Sequence, residues 1–205
     1  FIPVSRIADM LLNPGGPYNF NGQKRTYPDV KLVYWCGGNP FHHHQDLNRL
    51  AKAWQYPETV IVHEPWWTAT AERADIVFPA TTQFERSDIG WAKGDPYLFY
   101  MPQMIPPVGL AKDDYDIFSE LSKKLNCEEN FTENQSSEEW IQNIYDKFYT
   151  QAKKQGINVA DLDTLKEKNF ERMTIDLDGE GYVPFKAFRD DPLKNPLGTP
   201  SGKIE

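Results

Sequence analysis

The chain has 205 residues, of which 40% are hydrophobic and 14% aromatic, enough to bury a full core. Its formal net charge of −8 argues against a nucleic-acid-binding protein, which needs a clustered basic face. No apolar run approaches the ~20 residues that span a bilayer, and the two cysteines, Cys36 and Cys127, are too few for a disulfide framework or a cysteine-rich metal site.

The two ends of the chain indicate a piece of a larger polypeptide. The first residue is Phe1 rather than Met, and no basic segment of a signal peptide follows it. The last residues, 200–205, alternate like a strand that is beginning. We therefore expect an excised domain, and the compartment of the parent protein stays open.

The first part of the chain divides into a lead-in and a core. Residues 1–28 are a predicted loop-rich lead-in, because residues 13–28 are dense in Pro, Gly and Asn. Residues 29–126 are predicted to form an α/β core. Its first strand, residues 30–36, is almost continuously apolar, which is typical of a strand buried on both faces.

A helix is predicted directly behind this strand. The strand stops at Gly37-Gly38-Asn39-Pro40, and the helix begins at three consecutive histidines. One apolar stripe runs along the helix and consists of Leu47, Leu50, Ala51 and Trp54.

Two more strands are predicted at residues 59–63 and 75–78, with a short helical stretch at 68–74 between them. The alternation of strands and helices predicts a parallel sheet with flanking helices, a Rossmann-like three-layer α/β fold. Ligands of such sheets bind beyond the carboxyl ends of the strands. Those ends are residues 37–40, 64–67 and 79–85.

The remainder of the chain is predicted to be irregular and then helical. Residues 87–112 read as a long loop, functional or packed against a partner domain. A helix follows at 113–125, with Ile117, Phe118, Leu121 and Leu125 facing inward. Residues 127–205 are a predicted helical extension with an irregular tail that leads to a missing C-terminal domain. Its features are a capping box of Ser136 and Glu139, a short helix at 161–168 and a turn at 178–181.

The glycine corner is the strongest candidate site. A strand that ends at two glycines before a helix exposes backbone N–H groups, and the missing Cβ atoms let a flat or charged ligand approach the backbone. The spacing is neither GxGxxG nor GxxxxGK[ST], so a tight structural connection remains the alternative.

The histidine triplet suggests an anion contact more than a metal site. Consecutive helical residues point about 100° apart, so three of them cannot face one ion. One or two of these histidines could instead hydrogen-bond an anionic ligand.

Charged residues follow the other two strands. Glu64 at the end of the second strand could accept hydrogen bonds from a nucleotide, or be an ordinary surface carboxylate. Arg86 lies in a charged segment that is either a solvated loop or a site. Cys36 is expected to be a small core residue, and Trp66 and Trp67 are expected to pack.

Six segments occur in a fixed order along the chain: YWCGGNPFHHHQDLNR at 34–49, IVHE at 61–64, ADIVFPATT at 74–82, FERSDI at 84–89, DYDIF at 114–118 and NPLGTPSG at 195–202. Together they closely resemble the dimethyl sulfoxide / trimethylamine N-oxide / biotin sulfoxide reductase branch of the molybdopterin oxidoreductases. The match spans nearly the whole chain.

The resemblance implies a cofactor-binding role. In that family one molybdenum is held by two molybdopterin guanine dinucleotides (bis-MGD), bound mainly by two α/β domains, and this chain looks like the later one. The family's serine ligand to molybdenum lies earlier in the chain, so no catalytic or metal-ligating residue is expected here. We expect the fragment to be inactive, to hold no cofactor by itself and to have the remaining parent domains as partners; the electron donor stays open.

The resemblance also implies the roles of residues at the glycine corner. Gly37, Gly38 and Asn39 would lie against the dinucleotide, with His43 or His44 near its phosphates.

At the other strand ends, the resemblance makes Glu64 the acidic partner of the guanosine. Arg86 and Asp114 become candidates for the guanine end, where a carboxylate can pair with two N–H donors. The family frequently has Asp in place of Glu64, and residues 91–97 depart from the family's Gly-Asp-Tyr-Ser-like stretch, so the contacts of that loop stay open.

Two other functions are compatible with the residues alone. One is a stand-alone nucleotide-binding or protein-interaction module without redox chemistry. The other is a histidine metal enzyme. The identity of the reduced S-oxide or N-oxide is not encoded in these segments.

Overall fold

The computed structural model of the protein describes residues 2–92, 95–173 and 183–205. In these residues the helices α1–α8 span Ile7–Leu12, Pro40–His43, Leu47–Ala53, Asp114–Lys124, Glu128–Thr132, Ser137–Lys154, Leu162–Lys168 and Lys186–Asp190. The strands β1–β8 span Pro17–Phe20, Gln23–Thr26, Leu32–Cys36, Thr59–Glu64, Ile76–Pro79, Asp88–Trp91, Tyr97–Met101 and Phe170–Arg172. None of the helices in the described ranges combines the length and the apolarity that a bilayer crossing requires.

The fold is mixed α/β, with a parallel sheet of three strands in the order β3-β4-β5. This confirms the predicted parallel sheet and its three strands. The prediction that the first strand is buried on both faces is wrong: the middle of β3 is half-buried, Leu32 is exposed, and Cys36 is exposed rather than a core residue.

The chain divides into two compact units. The first consists of Phe1–Val62, Trp67–Val77 and Leu177–Glu205. Its core joins α1 and α3 to the central strands through buried apolar side chains, among them Leu11, Leu50, Ala53, Trp54 and Val62. Leu50 and Trp54 belong to the predicted helical stripe and Val62 to the predicted β-branched strand, whereas Leu11 and Ala53 lie outside both patterns and Leu47 of the stripe is exposed. The hydrophobic pattern therefore predicts only part of this core.

Residues 13–28 are not a long loop. Strands β1 and β2 form an antiparallel hairpin with register Pro17↔Thr26 to Phe20↔Gln23. The turn is Asn21-Gly22, and both residues have positive φ, 48° and 72°. An Asn-Gly pair favours the two-residue turns whose twist matches paired strands, and this local preference outweighs the loop-like composition of the segment.

The helix predicted behind β3 is broken in two. His44 ends α2 in an extended conformation, and Asp46 adopts a left-handed φ of 45° before α3 begins. The Asp46 carboxylate accepts a hydrogen bond from Arg49 N at 3.1 Å. Asp46 is therefore the N-cap of α3, because its side chain accepts from a backbone donor that a new helix leaves unpaired.

The second unit consists of His63–Trp66 and Phe78–Asp176. Residues 87–112, predicted irregular, contain β6 and β7, which pair antiparallel from Asp88↔Met101 onward, and β8 extends the same sheet. The glycines and prolines around these strands are typical of irregular structure and led to the prediction of a loop, although residues 97–101 are aromatic and apolar, as strands favour. The core beneath the sheet contains Leu98, Ile141, Tyr145, Leu162 and Leu165.

The predicted helices of this unit are present as α4, α6 and α7. The capping box of α6 is formed as predicted by Ser136 and Glu139. On α4 the predicted inward face is only partly correct: Ile117 is buried, but Leu121 and Leu125 are exposed. Helix α5 was not predicted.

Several smaller predictions have mixed outcomes. The helical stretch at 68–74 is a single 3₁₀ turn, Ala71–Arg73. Trp66 and Trp67 are exposed and do not pack. Residues 200–205 form turns and bends instead of a strand, and α8 was not predicted. The turn at 178–181 lies outside the described residues, and the boundaries at 28 and 126 stay predictions.

Two leucines of α3 test the core of the first unit. Leu50 has 0% exposure and Leu47 has 40%. We expect Leu50→Ala to lower the free energy of unfolding by roughly 2–5 kcal/mol, because it leaves a cavity in the core. The matched variant Leu47→Ala should lower the free energy of unfolding by less than about 1 kcal/mol. Urea denaturation of both variants measures the difference, and equal losses would contradict this placement of α3.

Candidate functional site

The glycine corner of the first unit depends on backbone conformation. Gly37 and Gly38 have φ angles of 78° and 74°, in the left-handed region that glycine occupies without strain. A Cβ at Gly37 would meet nothing within 4 Å, and one at Gly38 would come no closer than 3.6 Å, to His43 Nε2. The space beside Gly37 is therefore open, a Cβ at Gly38 would be in ordinary contact with the His43 ring, and glycine is favoured at both positions by φ rather than by crowding.

Thr70 fixes the residues that follow the glycines. Its fully buried hydroxyl donates to Asn39 Oδ1 at 2.5 Å and accepts from Phe41 N at 3.4 Å. His42 N and His43 N both donate to Asn39 O, at 2.9 and 3.3 Å. Since Pro40 has no N–H, the predicted cluster of unpaired donors at the start of α2 is absent. No local sequence pattern indicates this role of Thr70, because its partners lie 31 and 29 residues away along the chain.

The histidines of the triplet differ in environment. His43 is exposed, whereas His44 is buried at 8% exposure. Burial, and secondarily the neighbouring His43, lower the pKa of His44, so its ring favours the neutral form. Of the two candidate phosphate contacts, His43 is the accessible one. Among the described residues, no three His, Cys, Asp or Glu side chains are grouped to hold a metal ion.

The second unit ties the start of α4 to the ends of β4 and β5. His63 Nδ1 lies 2.7 Å from Asp114 Oδ1, and Thr81 Oγ1 donates to Asp113 Oδ1 at 2.5 Å. The backbone adds to this, because Lys112 N donates to Pro79 O at 3.0 Å. Two successive carboxylates at the N-terminus of α4 are thus held in fixed positions, where the helix dipole also favours them. Glu64, at the end of β4, is half-buried, and its carbonyl accepts from Ala80 N at 3.4 Å.

Glu85 organises the loop that carries Arg86. It is buried, and its carboxylate accepts hydrogen bonds from Thr82 Oγ1, Thr82 N and Val108 N, each at 2.7 Å. These bonds, first of all the one from the Thr82 hydroxyl, lower the pKa of Glu85. A charged carboxylate with three hydrogen bonds therefore fixes the backbone immediately before Arg86.

Arg86 and Asp114 line the same pocket, which has a volume of about 260 Å³. Arg86 forms an ion pair with Asp88, and the side chain of Asp114 is 60% exposed. Tyr115 and Trp140 also line the pocket. A carboxylate, a guanidinium and aromatic rings around one small cavity suit a flat heterocycle that has N–H donors. The aromatic lining was missed because Trp140 reads as part of a helix core.

The comparisons with known proteins agree with the sequence resemblance. The protein-family model described as molybdopterin oxidoreductase matches residues 15–124. The chain belongs to the molybdopterin oxidoreductase family.

Relatives within the family are S-oxide and N-oxide reductases by name. Biotin sulfoxide reductase of Cereibacter sphaeroides is 47% identical over 100% of this chain and 27% of its own length. Trimethylamine-N-oxide reductase of Haemophilus influenzae is 47% identical over 99% of this chain and 25% of its own. The resemblance stated from the motifs is confirmed, and the chain spans about a quarter of the length of these curated relatives.

A solved structure shows a similar fold. Acetylene hydratase from Pelobacter acetylenicus matches with a TM-score of 0.54 and 22% identity, over 87% of this chain and 22% of its own. At this identity the similarity concerns the fold alone.

The Glu85 carboxylate makes a testable contribution to stability. Because its folded-state pKa is lowered, the contribution is fully present above the unfolded-state pKa, near 4.5, and is lost as the pH falls through the folded-state value. We therefore expect Glu85→Gln to be less stable than wild type at neutral pH, with a difference that shrinks below about pH 4.5.

Urea denaturation over a pH series measures this difference. Glu167→Gln, which changes an exposed glutamate of α7, is the matched control and should track wild type throughout. A stability loss in Glu85→Gln that is constant with pH would mean that the carboxylate charge has no part in it.

Proposed function

We propose that this chain is a cofactor-binding region of a molybdenum reductase that acts on S-oxides or N-oxides. The family membership and the 45–47% identity to biotin sulfoxide, dimethyl sulfoxide and trimethylamine N-oxide reductases support this. The parent enzyme would hold a bis-MGD molybdenum cofactor, and its substrate would be dimethyl sulfoxide, trimethylamine N-oxide or biotin sulfoxide. The chain by itself would have no reductase activity.

The observation that carries the proposal is the pocket shared by Arg86 and Asp114. Guanine presents two adjacent N–H donors, at N1 and at the 2-amino group, and one carboxylate can accept both. The Asp114 side chain is exposed enough to reach a ligand, and Tyr115 and Trp140 offer apolar surface for the ring. The residues present therefore fit the guanine end of a molybdopterin guanine dinucleotide.

The remaining candidates have separate proposed roles. In the second unit, Glu64 would accept hydrogen bonds from the guanosine. In the first unit, Gly37, Gly38 and Asn39 would lie against the dinucleotide, and the open space beside Gly37 is compatible with close approach.

The two histidines of the first unit are proposed to differ in role. His43 would contact phosphate, because it is exposed. His44 would serve as a neutral hydrogen-bonding group, since burial disfavours its charge. We also propose that the sheet and its helices form a Rossmann-like three-layer arrangement.

The chemistry divides between the cofactor and the chain. The molybdenum–pterin group, when bound, supplies oxygen-atom transfer and the accompanying two-electron reduction. The residues of this chain bind and orient its nucleotide end. No side chain of this region is assigned a proton-transfer or ligating role.

The proposal is tested on the full-length protein. We expect the purified enzyme to contain molybdenum and guanine nucleotide in the ratio that a bis-dinucleotide cofactor requires. It should also reduce trimethylamine N-oxide, dimethyl sulfoxide or biotin sulfoxide with reduced viologen as the electron donor. Purified protein with bound metal but without guanine nucleotide would contradict the assignment.

The Asp114 carboxylate provides the residue-level test. We expect Asp114→Asn to weaken binding of guanosine diphosphate by roughly 10- to 100-fold, because hydrogen bonds to a charged group are lost. The matched control is Asp163→Asn, which changes an exposed acid in the first turn of α7 and should leave binding unchanged. Isothermal titration of the full-length, cofactor-free protein measures both, and equal affinities for the two variants would remove Asp114 from the site.

A further inference from the structure

His63 is a buried histidine that the proposed function leaves without a role. It is the fifth residue of β4 and is 3% exposed. Its ring lies against Phe118, with centroids 4.9 Å apart, and against the edge of Phe78, at 5.6 Å. A ring enclosed in this way cannot contact a ligand in the neighbouring pocket directly, and it cannot change rotamer without disturbing its neighbours.

The polar edge of this ring is directed at Asp114. Nδ1 of His63 lies 2.7 Å from Asp114 Oδ1, and Asp114 is the first residue of α4. An ionised carboxylate only accepts hydrogen bonds, so Nδ1 carries the proton and donates it. The contact is a charge-assisted hydrogen bond from a rigid, buried donor to a carboxylate that is 60% exposed.

We infer that His63 is a positioning residue that fixes the Asp114 carboxylate for guanine and makes the site selective for purines with a 2-amino group. This inference rests on the proposed function. The two oxygens of a carboxylate offer about four acceptor positions, so one bond to His63 leaves room for two ligand N–H donors.

Fixing the carboxylate favours binding in a specific way. A freely rotating aspartate would lose side-chain entropy when it binds, and a preorganised one does not. Guanine must direct two N–H donors at the carboxylate at once, whereas hypoxanthine lacks the 2-amino donor. The orientation of the carboxylate therefore affects the binding of guanine more than the binding of hypoxanthine. Loss of His63 should therefore reduce both affinity and the preference for guanine.

Two substitutions separate positioning from packing. His63→Phe keeps an aromatic ring between Phe78 and Phe118 but removes the donor. His63→Asn removes the ring but keeps a side-chain N–H near the position of Nδ1. If His63 has only a packing role, His63→Phe should bind the ligand better than His63→Asn. If His63 has a positioning role, His63→Asn should bind the ligand better than His63→Phe.

The experiment measures dissociation constants of guanosine diphosphate and inosine diphosphate for the full-length, cofactor-free protein by isothermal titration. We expect His63→Phe to weaken the binding of guanosine diphosphate by about 3- to 10-fold. The variant should also bind guanosine diphosphate with a smaller preference over inosine diphosphate. His63→Asn should stay within about 2-fold of wild type. Unfolding temperatures of all variants are recorded with the same preparations.

The Asp114→Asn variant separates this inference from the proposed function. If Asp114→Asn leaves guanosine diphosphate binding unchanged, the proposed function fails. Two results would overturn the inference alone, provided that Asp114→Asn weakens binding. One is that His63→Phe binds guanosine diphosphate like wild type. The other is that His63→Asn loses as much affinity for guanosine diphosphate as His63→Phe. In the double variant His63→Phe/Asp114→Asn, we expect no further loss beyond Asp114→Asn, because His63 acts through Asp114.

Discussion

The hydrogen bond between His63 Nδ1 and Asp114 Oδ1 joins the end of a central strand to the first turn of a helix. The bond from Thr81 to Asp113 and the backbone contact of Lys112 with Pro79 reinforce the same junction. Together they determine where α4 begins and which way its first carboxylates point. The Arg86–Asp114 pocket depends on this junction, because a displaced α4 would carry Asp114 and Tyr115 away from Arg86.

The glycine corner of the first unit works on a different principle. Its early helix donors are used internally, by Thr70 and by Asn39 O. What the corner offers a ligand is the open space beside Gly37 and the exposed ring of His43. Electrostatic attraction from a helix N-terminus is therefore a weaker argument here than the sequence pattern suggested, since α2 is only four residues long.

Local sequence signals predicted the parts of the fold that local interactions determine. The strands β3, β4 and β5, the helix α4 and the capping box at Ser136 all follow from hydrophobic period and capping chemistry. The differences have particular causes: Asn21-Gly22 forms a tight turn within a segment whose composition is typical of a loop, and Asp46 caps a new helix where one continuous helix was predicted. Thr70 and His63 were not assigned roles because their partners are distant in sequence, and only the tertiary fold brings them together. The residues alone indicated the glycine corner, Glu64 and Arg86 as candidates, whereas their specific roles and the choice of Asp114 came from a family resemblance. Of these residues, Arg86 and Asp114 line a common pocket.

The central claim is that the Asp114 carboxylate, held by His63, binds guanine. Its most direct test is a crystal structure of the full-length protein with its guanine nucleotide bound. The account predicts N1 and the 2-amino nitrogen of guanine at about 3 Å from the Asp114 carboxylate oxygens, with the His63 contact retained. A guanine ring bound elsewhere, with Asp114 facing solvent, would contradict it.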